Sequence, residues 1–332
     1  MDLHLSDEQQ QLVDSLAALY GKHSTSEAVR KAEAHGFDRE LWDRLTDLGV
    51  VAMAVGEPAG GWGATVLDLA LVTEQHGRAV AAAPLVECLV AARLLDRLGH
   101  PALGGSGAGD RLVTVAVHPA VEGVARGVPA GGIADAVVVA RGDDLLLVEL
   151  DERRQTFENL GSLPLADVPV ERGQVLASGA DARAAMRDAV DDWLRLTAAA
   201  LVGLGVRALE IGVDYVKERH AFGVPIGSFQ AVAHPLADSA AALDGARLLA
   251  QEAAWAADED VDRASELASL AFGFAGDAAR AVTATSLHVH GGYGFMMEYD
   301  IQLYWRRARA WTNVWGEPSR AYRRAGATRL GG

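Results

Sequence analysis

Apolar residues recur at a helical period over the first hundred positions. Ser6 followed by Gln9 is a capping-box arrangement, and it predicts a helix carrying Leu12, Leu16 and Leu19. A second helix is expected from near Asp38, with Leu41, Leu45 and Leu48 on one side and a stop at Gly49. Four glycines then surround Trp62 in the loop from Gly56 to Thr65. Thr65 starts a helix through Leu67, Leu71 and Glu74 to Gly77, and Pro84 leads another to Gly99. Together these predict a helical amino-terminal domain over residues 1–103.

Residues 104–109 are rich in Gly and Ser and read as a linker. Beyond them the period changes. Short Val-rich runs at 112–117, 136–140 and 145–150, separated by Gly and Asp turns, predict strands and a reduced middle β-domain over 110–180. From 181 the helical period returns, with helices expected near 183–219, 229–257, 261–290 and 298–328, the last broken around Gly316. Four amphipathic helices with short connections predict an antiparallel bundle over 181–332. The expected fold class is α+β, mainly α.

Composition narrows the function classes. Charged side chains interrupt the apolar runs, and the start, MDLHLSDEQQ, lacks a basic region followed by an apolar block, so neither a membrane span nor a secretory signal is expected. Cys88 is the single cysteine, which excludes an internal disulfide, fits a reducing cytoplasmic compartment and reads as a buried structural thiol. The formal net charge of −15 argues against nucleic acid as a partner. It leaves room for a phosphate-bearing small ligand, because only local charge matters at a desolvated site.

The stretch RHAFGVPIGSFQ, Arg219 to Gln230, joins two of the predicted helices. Gly223 is expected to release the backbone from the first helix and Pro225 to prevent its resumption, holding Arg219 and Gln230 near one corner. Taken alone, this is an ordinary helical hairpin with a solvated arginine. A second stretch, HVHGGYGF from His288 to Phe295, follows some sixty residues on. His288 and His290 have the look of a metal pair, but no nearby Cys or carboxylate completes a ligand set, and no metal is expected.

In this order and spacing the two stretches resemble the acyl-CoA dehydrogenase family, whose carboxy-terminal helical domain carries Arg-x-x-Phe-Gly, Phe-Gln and Gln-x-x-Gly-Gly-x-Gly. The amino-terminal run "LW..L..LG", the Glu-x-x-Gly-Gly loop and the acidic helix ending in Gly-Arg look like the same family's amino-terminal domain. The resemblance implies FAD as cofactor and α,β-desaturation of an acyl-CoA thioester, with a carboxylate removing the α proton. It further implies that Arg219 contacts the FAD pyrophosphate of a neighbouring subunit and that Phe222 lines the adenosine side. Gln230 would hydrogen-bond the cofactor, and Gly291 with Gly292 would let the pyrophosphate lie against backbone. His288 stands where the family has Gln and still offers a hydrogen bond. The residue chemistry agrees, since a guanidinium is a planar fork of donors suited to pyrophosphate and glycine admits close backbone approach.

Two places depart from the family pattern. In the middle domain Val117 and His118 stand where Thr and Glu would be, and the following segment that wraps the flavin ring is largely missing. At the catalytic glutamate, the segment RRARAWTNVWGEPSR puts Val314, Trp315 and Gly316 in register, and an indole cannot abstract a proton. Some members carry the glutamate near the start of the long helix instead. There DDWLRLTAAA gives Trp193 or Leu194, with Asp191 and Asp192 close by. Glu317 and Asp192 are thus the candidate bases, although the ordinary role of such groups is a solvated helix-end carboxylate.

The ending "HGGxGF..E....LY.RRA" resembles the short, divergent subunits of heteromeric acyl-CoA dehydrogenases of actinobacterial steroid and bulky-acid catabolism. This implies a fuller-length second subunit that supplies the glutamate, and an electron-accepting flavoprotein. A self-sufficient homo-oligomeric dehydrogenase using Glu317 or Asp192 is one alternative. A non-catalytic acyl-CoA-binding scaffold of the same fold is another.

Overall fold

A computed structural model of the chain describes residues 4–100 and 111–330, so the expected linker at 104–109 lies outside the described residues. The fold is mainly helical with a small β portion, as the periodicity predicts. Contacts gather the chain into two compact units. One comprises Glu27–Leu69 and Ala82–Leu194; the other comprises the described residues of Met1–Ser26, Ala70–Ala81 and Arg195–Gly332.

In the first of these units, α2 (Ser26–Ala32) and α3 (Arg39–Asp47) precede α5 (Leu85–Arg97). Asp38 caps α3 by accepting from the Leu41 N–H at 3.0 Å, and Leu41 and Leu45 are buried. Leu48, expected on the same apolar side, is 43 % exposed because α3 ends at Asp47 and its face turns outward. Six strands follow: β1 (Val113–Val115), β2 (Val124–Val128), β3 (Ala136–Arg141), β4 (Asp144–Glu149), β5 (Ala166–Pro169) and β6 (Gln174–Ser178). A four-stranded sheet has the order β1-β3-β4-β6, with β1 parallel to β3 and the other pairs antiparallel. β2 and β5 form a separate antiparallel pair. Val137 and Val139 of β3 and Leu146 and Val148 of β4 meet Ala125, Val128 and Val168 in one apolar cluster. β2, β5 and β6 lack the Val-rich signature. β6 is an edge strand with Val175 half exposed, so no apolar run marks it.

In the other unit, both capping-box bonds of α1 (Asp7–His23) are present: Ser6 N–H to Gln9 Oε1 at 3.1 Å and Gln9 N–H to Ser6 Oγ at 3.2 Å. Most of α4 (Val66–Arg78) and the second part of α6 (Gly179–Glu218) belong here. These two helices touch through glycines. A Cβ on Gly77 would sit 1.8 Å from the Ala200 carbonyl oxygen, and one on Gly203 would sit 1.9 Å from that of Glu74. α7 (Gln230–Glu259) packs along α8 (Val261–Val289), and α9 (Ile301–Trp315) and α10 (Pro318–Arg329) pack on α8. The break between α9 and α10 falls at Gly316, followed by Pro318 in the first turn of α10. α6 is long and apolar enough, by length and composition, to cross a membrane, contrary to the expectation that charges interrupt every such run. Two thirds of its most apolar window is buried within the protein, which identifies it as a core helix.

Candidate functional site

The corner after α6 is built differently from the expected glycine-terminated helix. The Arg219 N–H still donates to the Tyr215 carbonyl at 2.9 Å, and then the chain turns into a two-residue β-hairpin. His220 pairs with Pro225 and Ala221 with Val224, forming β7 (His220–Ala221) and β8 (Val224–Pro225). The two turn residues, Phe222 (φ +56°) and Gly223 (φ +83°), are both left-handed, as a type I′ hairpin requires. Gly223 therefore serves the hairpin, since the helix has already ended at Glu218. Phe222 holds a conformation that costs a non-glycine residue about 1 kcal/mol or more, and its side chain is 96 % exposed. Its ring meets that of Phe229 edge to face at 6.2 Å. Gln230 is the exposed first residue of α7, whose N-cap, Phe229, makes no side-chain capping bond.

The second stretch returns to the same corner. α8 ends at Val289, and a 3-10 turn spans Gly291–Phe295. Its three glycines differ in what the fold requires of them. Gly291 has φ +61°, a conformation that favours glycine. Gly294 is required by packing, because a Cβ there would lie 2.6 Å from the Leu287 carbonyl oxygen. Gly292 answers to neither, since a Cβ would meet nothing within 4 Å. Beside this turn an open pocket of about 340 Å³ is lined by Tyr215, Glu218, Arg219, Tyr293 and Tyr299.

Buried next to the pocket is His290. Its ring stacks on Tyr215 at 4.1 Å and 24° and meets Tyr299 edge-on at 6.1 Å, while Tyr299 stacks on Tyr293 at 5.6 Å. His290 Nδ1 lies 2.6 Å from the Ser286 carbonyl oxygen, so that nitrogen carries the hydrogen. Burial holds the imidazole below its usual pKa, and the bond to Ser286 opposes this in part. His288 is exposed on the last turn of α8, apart from the pocket lining. Among the described residues no group of three or more His, Cys, Asp or Glu is placed to hold a metal ion.

Of the residues singled out from sequence, Arg219 lines this pocket, and the Gly291–Phe295 turn reaches it through Tyr293; Gly291, Gly292, Phe222, Gln230 and His288 are exposed and outside the lining. The tyrosines and Glu218 were not anticipated. Tyr215 lies one helical turn before Arg219, and that spacing was the available signal.

The base register looks different. Trp315 is buried, packs edge-on against Phe272 at 5.8 Å and lies under the Arg320 guanidinium at 4.5 Å. Arg320 Nη1 also donates to the Trp315 carbonyl at 2.8 Å. Glu317, at the start of α10, is mostly exposed and ion-paired with Arg280 at 2.6 Å. Arg280 donates further to Thr312 and Asn313. The hydrogen bond and charge of Arg280 hold the Glu317 carboxyl below its usual pKa, the opposite of what a general base near neutral pH needs. Asp192 is buried, not solvated as expected, and is bridged to Arg93 at 3.2 Å and Arg97 at 3.0 Å. Trp193 and Leu194 are buried in the same stretch.

Comparisons with known proteins identify the family. The acyl-CoA dehydrogenase N-terminal domain matches residues 6–110 and the C-terminal domain matches 171–324. The chain is 32 % identical to acyl-CoA dehydrogenase IpdE2 of Mycolicibacterium smegmatis over 96 % of its own length and 98 % of that protein's. It is 32 % identical to acyl-CoA dehydrogenase FadE27 of Mycobacterium tuberculosis, over 87 % and 88 % of the two chains. A chain of the ChsE4-ChsE5 complex from Mycobacterium tuberculosis superposes with a TM-score of 0.85 at 28 % identity, covering 99 % of both. With both family domains matched and relatives aligned over nearly its whole length, the chain belongs to the acyl-CoA dehydrogenase family, flavin-binding oxidoreductases acting on CH–CH donors.

Proposed function

We propose that this chain is one subunit of a heteromeric FAD-dependent acyl-CoA dehydrogenase, holding the nucleotide end of a flavin whose ring site and catalytic glutamate come from a second, fuller-length subunit. The observation that carries the proposal is Gly292, a glycine that neither dihedral nor packing requires, on a turn beside the Arg219 pocket. Open space at that Cβ is what a close-lying pyrophosphate needs. Arg219 supplies a fork of charged donors to it. Glu218, in the same pocket, accepts hydrogen bonds, which suits a ribose hydroxyl. Phe222, strained and exposed, covers the adenosine side. Gln230 and His288 add hydrogen bonds from the flanking helix ends. FAD, when bound, supplies the acceptor for the β hydride.

The α proton needs a carboxylate that is not already neutralised. In this chain the register residue is an indole, and both candidate carboxylates, Glu317 and Asp192, are held by arginines. A base contributed by a partner resolves this, and the likeness to a chain of the two-protein ChsE4-ChsE5 complex supports that arrangement. Reoxidation falls to an electron-accepting flavoprotein. The buried Cys88 fits work in the cytoplasm.

The test is to purify the chain alone and with its fuller-length genomic neighbour, and to measure bound flavin and acyl-CoA oxidation. The complex is expected to be yellow and active, and the chain alone inactive. Turnover by the chain alone, lost in Glu317→Gln or Asp192→Asn, would instead establish a self-sufficient homo-oligomer. Colourless protein in both preparations would establish a non-catalytic acyl-CoA-binding scaffold.

A further inference from the structure

One imidazole ties together the two stretches that form the nucleotide corner. His290 precedes Gly291, and its ring is stacked on Tyr215. Tyr215 accepts the Arg219 N–H through its carbonyl, so it belongs to the last turn from which Arg219 projects. On its edge His290 meets Tyr299, which stacks in turn on Tyr293 in the glycine turn. The bond from Nδ1 to the Ser286 carbonyl fixes the plane of the ring. A ring held at its nitrogen, one face and one edge has a single orientation. The pocket is lined by Tyr215, Tyr293, Tyr299, Glu218 and Arg219, and the buried His290 lies outside the lining, stacked on Tyr215.

Resting on the reading of this corner as a nucleotide site, we infer that His290 is a positioning residue: its ring sets the spacing between the Arg219 end of α6 and the Gly291–Phe295 turn, and so the affinity for a diphosphate. The ring acts through stacking, with the Nδ1 bond as its anchor. Burial disfavours the imidazolium, so the positive charge facing the pocket remains that of Arg219.

The experiment is titration of ADP into the full-length protein in the assembly in which it is purified, by calorimetry, for wild type, Arg219→Ala, His290→Ala, His290→Phe and His290→Asn, with thermal midpoints recorded for each. His290→Phe keeps a flat ring without the Nδ1–H, whereas His290→Asn keeps an N–H without the ring. ADP affinity is expected to fall about tenfold in His290→Ala, to fall equally in His290→Asn, and to recover to within about threefold of wild type in His290→Phe. Wild-type affinity in His290→Ala, or recovery in Asn rather than Phe, would overturn the positioning role. So would losses in Phe and Asn alike that simply track their thermal midpoints, and this pair decides the matter if His290→Ala does not fold. No effect of Arg219→Ala, or no ADP binding by wild type, would overturn the nucleotide reading itself. A loss in Arg219→Ala with wild-type affinity in every His290 variant would leave that reading standing and remove this inference alone.

Discussion

The corner at 219–230 and 288–299 and the register at 312–317 both lie in the helical unit, yet they use their chemical groups in opposite ways. At the corner, groups are left over after the fold has satisfied itself: Phe222 is exposed on a strained backbone, Gly292 faces open space, and Arg219 lines an open pocket. At the register, the fold has consumed everything. Trp315 is packed between Phe272 and Arg320, and the nearest carboxylate, Glu317, is paired with Arg280. A site available to a ligand is recognised by what the protein's own packing does not explain. A residue explained by packing and ion pairing has no chemistry to spare.

This contrast can be broken by substitution. Trp315→Ala should produce the largest effect, because the indole fills core volume: a loss of roughly 3–5 kcal/mol in folding stability is expected for truncating such a side chain. Chemical denaturation measures it, and a loss below about 1 kcal/mol would mean that the register is not committed to packing. Gly292→Ala should behave in the reverse manner. Its thermal midpoint should match wild type, since a Cβ there meets no neighbour, while nucleotide affinity should drop about tenfold or more, equivalent to about 1.4 kcal/mol. Unchanged affinity for ADP or FAD would remove the cradle. Glu317→Gln should do least. The Glu317 side of its pair with Arg280 is largely exposed, so stability should change by about 1 kcal/mol or less, and turnover of the complete enzyme should be preserved. A hundredfold fall in kcat with flavin still bound would restore Glu317 as the base and reverse the comparison.

Much of the architecture was legible before any coordinates. The capping box at Ser6, the cap at Asp38 and the break at Gly316 all stand where the residues predict, because caps and breakers act on the backbone within one turn. The Val-rich strands were equally visible. β2, β5 and β6 were not, since their pairing depends on partners distant in sequence and β6 carries no apolar face. Arg219, Gly291 and Gly292 are singled out by the motif order alone. Gly223 belongs to a hairpin, and of the three glycines in the Gly291–Phe295 turn the structure explains Gly291 by its dihedral and Gly294 by packing but leaves Gly292 without a structural cause.

The sequence by itself determined the helical periods, the family and the absence of a glutamate at Trp315, because each is written in residue identity and local spacing. Only the tertiary structure decided that Glu317 and Asp192 are held by arginines, that Tyr215, His290 and Tyr299 form one stack, and that Gly292 faces open space. Ion pairs, ring contacts and unfilled volume are relations between residues far apart in the chain. Local pattern carries no record of them until the backbone has brought those residues together.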